Sequence, residues 1–210
     1  MPEYEIRPIN PEEWLPDRCM SFEMPFNPKI STQKAGCASL EGYYTKGSRK
    51  RLMSLYQTVL NNIGCCGFVA WENGCVVGYN NFFPSEIAQI TRFYGWGTGK
   101  DVKYSTLVHH CISLVQNPDY RRKEIGTGLI NRSLDWAKQN GWHIYEVHNV
   151  LPDSPTGYKY EQKGCLGFWR RFGFEVTCSV PADPDTETMY GVSVRHSMAL
   201  HLGDWNNIRL

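Results

Sequence analysis

Apolar side chains recur at three- and four-residue steps from Ser48 to Ile63. Leu52, Leu55, Tyr56, Val59, Leu60 and Ile63 make one stripe, which predicts an amphipathic helix, and Gly64 supplies a left-handed stop. The same period returns over residues 127–140, with Leu129, Ile130, Leu134 and Ala137 inward and Gly141 just past the end. Residues 166–172 predict a short helix halted by Gly173, and residues 12–23 a helix interrupted near Pro16. Alternating or continuous apolar runs predict strands at 4–9, 66–71, 75–83, 105–116, 143–150, 174–180 and 189–200. Asn73-Gly74 between two apolar runs is a hairpin signal. The 105–116 run is apolar on both faces except for His109, His110 and Ser113, as a central strand would be. A Pro/Asp-rich turn joins the last two strands, and 25–37, 87–103 and 151–163 lack a period. This order of elements predicts one α/β (α+β) domain over 1–210, built on a mixed central sheet of about six to seven strands flanked by helices.

Composition narrows the function. The chain has 210 residues, 41% hydrophobic and 20% charged, as a globular protein does. Its 22 Lys+Arg against 21 Asp+Glu leave a net charge of +1, too little for a global field toward nucleic acid or an anionic membrane. Any anion site must therefore be local. No run reaches the ~20 apolar residues of a membrane span, and Met1-Pro-Glu-Tyr-Glu lacks the regions of a signal peptide. The eight cysteines include the adjacent pair Cys65-Cys66 and no C-x-x-C, which predicts free thiols and a cytoplasmic protein. Asn131-Arg-Ser matches a glycosylation acceptor only formally, because it falls on a predicted helix.

The candidate chemistry centres on residues 117–128, Asn-Pro-Asp-Tyr-Arg-Arg-Lys-Glu-Ile-Gly-Thr-Gly, where a strand hands over to a helix. Arg121, Arg122, Lys123, Gly126 and Gly128 sit where backbone N–H groups are unpaired and the helix dipole favours an anion, which predicts a phosphate cradle. A P-loop is excluded elsewhere: Gly99-Lys100 would need a glycine at Tyr94, and Asp101 stands where Ser or Thr should bind magnesium. A dinucleotide fingerprint fails because Asn131 follows Gly126 and Gly128 where a third small residue belongs. No G-x-S-x-G occurs. His109 and His110 are adjacent on a strand, so they face opposite ways and no metal site is expected.

In this setting Arg121 to Gly126, followed by Gly128, resembles the first signature of the GNAT family of acetyl-CoA-dependent N-acetyltransferases, Arg/Gln-x-x-Gly-x-Gly/Ala, with Glu124 at a usual glycine position. Residues 168–174, Phe-Trp-Arg-Arg-Phe-Gly-Phe, resemble its second, and the hairpin from Val69 to Tyr79 is similar to the family's early hairpin. The likeness covers about residues 66–180, the expected cofactor-binding core. It implies that acetyl-CoA is the co-substrate. Its pyrophosphate would lie on Arg121, Arg122, Lys123, Glu124, Gly126, Thr127 and Gly128, and its pantetheine arm on the main chain of Leu114 and Gln116, with Asn149 orienting the arm or the acceptor. Transfer to a primary amine needs a base for the ammonium proton, a donor for the thioester oxygen and an acid for the leaving thiolate. Glu146 and His148, two apart on one strand, are candidates for the base, as is His109. Trp169 stands where the family's acidic tyrosine is usual, so Tyr158 and Tyr160 are the candidate acids. The expected acceptor is a small-molecule amine or a peptide, reached by direct attack in a ternary complex. A non-catalytic acyl-CoA-binding module of the same fold is the alternative. The sequence is compatible with a homodimer but does not fix the oligomeric state.

Overall fold

The computed structural model describes residues 4–14, 48–85, 106–114, 124–153, 165–182 and 184–203. The strands are β1 (Glu5–Pro8), β2 (Gly67–Glu72), β3 (Cys75–Pro84), β4 (Thr106–Leu114), β5 (Ile144–Val150), β6 (Glu175–Pro181) and β7 (Val194–His201). The helices are α1 (Ser48–Ile63), α2 (Ile125–Gln139), α3 (Leu166–Arg170) and α4 (Pro184–Tyr190). All seven strands join one mixed sheet in the order β1-β2-β3-β4-β5-β7-β6, with β4 at its centre as its two-sided hydrophobicity predicts. β4 and β5 pair in parallel, and every other described pair is antiparallel.

Each long helix covers one face. α1 buries Leu55, Tyr56 and Val59 against Ile9, Cys66, Val69, Tyr79 and Phe83. α2 buries Ile125, Leu129, Ile130, Leu134 and Ala137 against Phe68, Ala70, Phe82, Leu107, Tyr145 and Val147, and α3 adds Leu166 and Trp169 to that layer. Neighbouring residues such as Phe68 and Val69 go to opposite cores because a strand alternates its side chains. Full burial of each large apolar side chain contributes about 1.5–3 kcal/mol, so these stripes carry most of the fold. The β2–β3 hairpin turns on Asn73 (φ 51) and Gly74 (φ 77), the positive pair that a two-residue type I′ turn requires.

A buried amide ties the layers together. Asn80 Oδ1 accepts the Phe68 N–H at 3.2 Å, while its Nδ2 donates to Ser133 Oγ at 2.6 Å and to the Leu129 carbonyl at 3.4 Å. Satisfied on both ends, it carries little desolvation penalty and fixes the angle of α2 on the hairpin.

The segment before β7 differs from its sequence-based expectation. Residues 184–190 form α4 rather than a turn, and the last strand begins at Val194 rather than at Met189. Proline and acidic residues mark turns, but they also favour the first turn of a helix, and Pro184 takes the first position of α4. Gly191 (φ 66) ends it by donating its N–H to the Glu187 carbonyl at 2.8 Å. The expected 12–23 helix beyond Trp14, the 25–37 and 87–103 stretches and most of 151–163 lie outside the described residues.

Candidate active site

The site is built where two neighbouring strands part. Between Asn81 and Phe82, β3 advances one residue while β4 advances two, from Cys111 to His109, so His110 is an inserted residue in a β-bulge. The parallel pairing of β4 with β5 stops at the same level. Thr106 to His109 match Ile144 to Val147, and no described pair follows. β5 bulges there as well, because Val147 faces Met198 and Val150 faces His196, three steps against two, with Asn149 at φ 56. A bulge bends its strand and re-aims the local side chains. Two at one level open a gap whose β4 side, up to Leu114, is backbone without a β5 partner among the described residues. Among the described residues no group of His, Cys, Asp or Glu is placed to hold a metal ion.

Glu146 and His148 lie beside this gap on the α1 face. Phe83, Val108, Glu146 and Ala199 form one row across the sheet. Glu146 Oε2 is 3.3 Å from His148 Nε2, so the face shared by these two residues becomes a direct contact. His148 is almost fully buried and the Glu146 side chain is 15% exposed, so Glu146 is the member of the pair that solvent reaches. β7 backs both bulge residues. Ser197 Oγ lies 2.9 Å from His148 Nδ1, and Arg195 Nη1 donates to Asn149 Oδ1 at 3.0 Å. Arg195 and Ser197 are absent from the sequence-based candidates because they lie beyond the stretch that carries the resemblance. Their signal was present as two polar residues two apart on one strand, a spacing that puts both on one face.

His109 does not join this group. It is buried on the opposite face, with Nδ1 3.3 Å from the Tyr145 hydroxyl and its ring edge-on to Trp169 at 4.9 Å. Trp169 is 2% exposed and packs on Phe174 as well, so the ring at the usual tyrosine position is a core side chain. The ends of the irregular 151–163 stretch are pinned together. Leu151 bridges to Cys165, and Asp153 Oδ1 caps α3 by accepting the Gly167 N–H at 2.7 Å. Tyr158 and Tyr160 themselves lie outside the described residues, as do Gln116, Arg121, Arg122 and Lys123.

The start of α2 is described from Glu124, an exposed N-cap residue at φ 60 and ψ 9 with no side-chain cap bond. That left-handed backbone explains why glycine is usual here, since a side chain costs about 1–2 kcal/mol in it. Burial raises the Tyr4 hydroxyl pKa and the Glu124 carboxylate raises it further, which places this charge in electrostatic reach of β1. Gly128 has a packing role. A Cβ there would stand 2.9 Å from Ile6 Cδ1 and 3.2 Å from the Tyr4 hydroxyl, so its smallness lets α2 sit against the start of β1. Gly126 and Thr127 are half-buried in the first turn.

Comparison with known proteins identifies the family and the fold. Residues 36–174 match the family model described as the acetyltransferase (GNAT) family. The chain belongs to the GNAT acetyltransferases. An N-acetyltransferase from Staphylococcus aureus Mu50 is 16% identical over 95% of this chain and 99% of its own, with a TM-score of 0.56. The protein yncA of Salmonella typhimurium, solved with its cofactor acetyl-CoA, is 16% identical over 96% of this chain and 95% of its own, also at 0.56. At such identities the likeness is one of fold. A protein of Methanocaldococcus jannaschii, named as an uncharacterized N-acetyltransferase, is 37% identical over 59 residues, 28% of this chain. That match spans 22% of the relative's length.

Proposed function

We propose that the protein transfers an acetyl group from acetyl-CoA to a primary amine by direct attack, with Glu146 as the base. The observation that carries this reading is the Glu146–His148 contact set within one residue of the point where β4 and β5 part. Acetyl-CoA fits the chain's own donors and acceptors. The β4 edge up to Leu114, without a β5 partner among the described residues, offers amide hydrogen bonds to an extended arm, and the first turn of α2 offers N–H groups to its phosphates. When bound, acetyl-CoA supplies the electrophilic thioester. Glu146 takes the ammonium proton, and His148, with Nε2 3.3 Å from Oε2, packs against its carboxylate. Direct transfer suits the buried thiols: burial pushes Cys65 up to about 11 and raises Cys66 as well, so neither offers a thiolate nucleophile. A small-molecule amine or a peptide is the proposed acceptor, within a single cytoplasmic domain. Among the described residues no helix is long and apolar enough to cross a membrane.

Calorimetric titration with acetyl-CoA, followed by thiol release over a panel of amines, tests the proposal. Absence of binding to the intact protein would sink it. The same titration applies to Glu124→Gly. Glycine relieves the left-handed backbone and removes a carboxylate from an anion-binding helix start, so acetyl-CoA is expected to bind about 3- to 10-fold more tightly. Weaker binding would mean that the carboxylate takes part in holding the ligand.

Asn149 gives a further test. A guanidinium only donates, so the amide oxygen must face Arg195 and the amide nitrogen is the end left for a ligand. Asn149→Asp keeps the acceptor for Arg195 but replaces that donor. Acetyl-CoA affinity is expected to fall by about tenfold, the loss of one hydrogen bond to a ligand, with an unchanged or higher Tm. Unchanged affinity removes Asn149 from the binding surface.

The non-catalytic reading is favoured by one observation, the burial of Trp169 where the acid would stand. Binding without thiol release across the amine panel would establish it.

A further inference from the structure

We propose that Arg170, His196 and Ser179 form a binding site for a tetrahedral oxyanion, the chemistry of a phosphoryl or sulfuryl group. The site lies at the β6–β7 edge, on the face that α2 and α3 cover, and is independent of the reading of Glu146 as the base. Strand pairing sets its frame. His196 stands opposite Ser179 of β6 and opposite Val150 of β5, a member of the α2 core, so all three share that face. Ser179 Oγ lies 2.9 Å from His196 Nδ1. α3 runs beside the same strands. Leu151 bridges to Cys165 at its start, and a Cβ on Gly173, just past its end, would stand 3.4 Å from Leu200 Cδ1 of β7. Arg170 comes within electrostatic reach of His196, whose pKa is lowered first by burial and then by this guanidinium.

Two groups that carry positive charge repel when held beside each other, and here no carboxylate offsets the repulsion. Among the described residues no hydrogen bond or ion pair engages the Arg170 side chain, and the hydrogen-bond partner of His196 is the neutral Ser179. The carboxylates of the adjoining segments are committed elsewhere. Glu175, the charged residue of β6, stands opposite Ala199 and so faces the other side of the sheet, and Asp153 Oδ1 accepts the Gly167 N–H at the start of α3. The end of α3 presents no bare carbonyl at its last two residues, because Trp169 and Arg170 accept from the N–H groups of Phe172, Gly173 and Phe174. Guanidinium, imidazolium and hydroxyl are donors suited to an oxyanion, and Arg170 and Ser179 are exposed, so a ligand reaches them from solvent. With His196 protonated, both ring nitrogens donate. Nδ1 then gives its hydrogen to Ser179 Oγ, which leaves Nε2–H and the serine hydrogen for the anion.

NMR titration of the His196 ring in the intact protein, assigned through His196→Gln, tests the site with inorganic sulfate, whose charge is constant over the range in which histidine titrates. A bound dianion favours the charged imidazole. Sulfate should therefore raise the His196 midpoint above its value in sodium chloride of equal ionic strength, and the effect should saturate at roughly millimolar sulfate, as an exposed site allows. Equal midpoints in the two salts would overturn the proposal, and that result needs no variant to fold. Arg170→Gln should raise the midpoint in chloride by removing the repulsion, and should weaken sulfate binding by about tenfold, the worth of one charge-assisted hydrogen bond. Sulfate bound as tightly by this variant as by wild type would also overturn it. A last arm separates the sources of the anion. Displacement of sulfate by coenzyme A would make the cofactor's phosphates the ligand, whereas sulfate binding undisturbed by coenzyme A assigns the site to a separate phosphorylated or sulfated molecule.

Discussion

Glu146→Gln is expected to lower kcat by about 10²- to 10⁴-fold, the range a positioned general base contributes. The substitution is isosteric. Its amide group fills the position where Oε2 now lies 3.3 Å from His148 Nε2, so the β5 bulge and the packing of His148 should persist. What is lost is proton affinity, since a carboxamide does not take up a proton near neutral pH. Binding of acetyl-CoA should be unchanged, because the carboxylate lies on the α1 face while the α2 start and the β4 edge carry the proposed contacts to the ligand. Steady-state thiol release with a reactive amine, paired with calorimetry, separates the two effects. An unchanged kcat assigns the proton to another group. A large loss of acetyl-CoA affinity would instead place Glu146 in the binding surface.

Gly67→Ala is expected to destabilise the fold by more than about 3 kcal/mol, among the larger effects of single substitutions. Gly67 lies in β2 at φ +140, and a Cβ there would be 2.2 Å from the Asn80 carbonyl oxygen, 2.7 Å from Asn81 Cα and 3.0 Å from the Asn80 carbonyl carbon. All three are backbone atoms of the paired strand, so no rotamer change relieves the clash. The strands would have to separate at the residues whose side chains join the layers: Asn80 to Phe68, Leu129 and Ser133 on one face, and Asn81 to the Tyr56 hydroxyl on the other. Moving either leaves buried polar atoms without partners. For a chain of this size each kcal/mol is worth about 2–4 °C, so Tm should fall by about 6 °C or more. Thermal and urea denaturation read the loss, and a Tm equal to that of wild type would contradict the close approach of β2 and β3 at this point.

Much of the architecture was legible because its cause is local. The stripe from Leu52 to Ile63 and the stop at Gly64 predict α1 with the bounds it has, and Asn73-Gly74 predicts the hairpin because few other pairs accept two positive φ angles. α4 was missed because Pro184 serves turns and helix starts alike, and only the chain returning to β7 decides between them. The first signature was legible up to a point. Its glycine preference at Glu124 reflects a left-handed backbone, whereas Gly128 is small because Tyr4 and Ile6, far away in sequence, lie against it.

The sequence by itself determined the periods of the helices and strands, the absence of a global charge field and the two signatures by which the chain resembles the acetyltransferases. These follow from side chains whose spacing alone puts them on one face. Only the tertiary structure decided where β4 and β5 part, because each bulge is a mismatch of register with a neighbouring strand and exists only once the strands are paired. It also separated His109 from Glu146 and His148, placing them on opposite sides of the sheet, and brought Arg195 and Ser197 from the end of the chain to Asn149 and His148. Hydrogen bonds between residues nearly fifty positions apart leave no period in a sequence, since the distance that matters is set by strand order rather than by spacing along the chain.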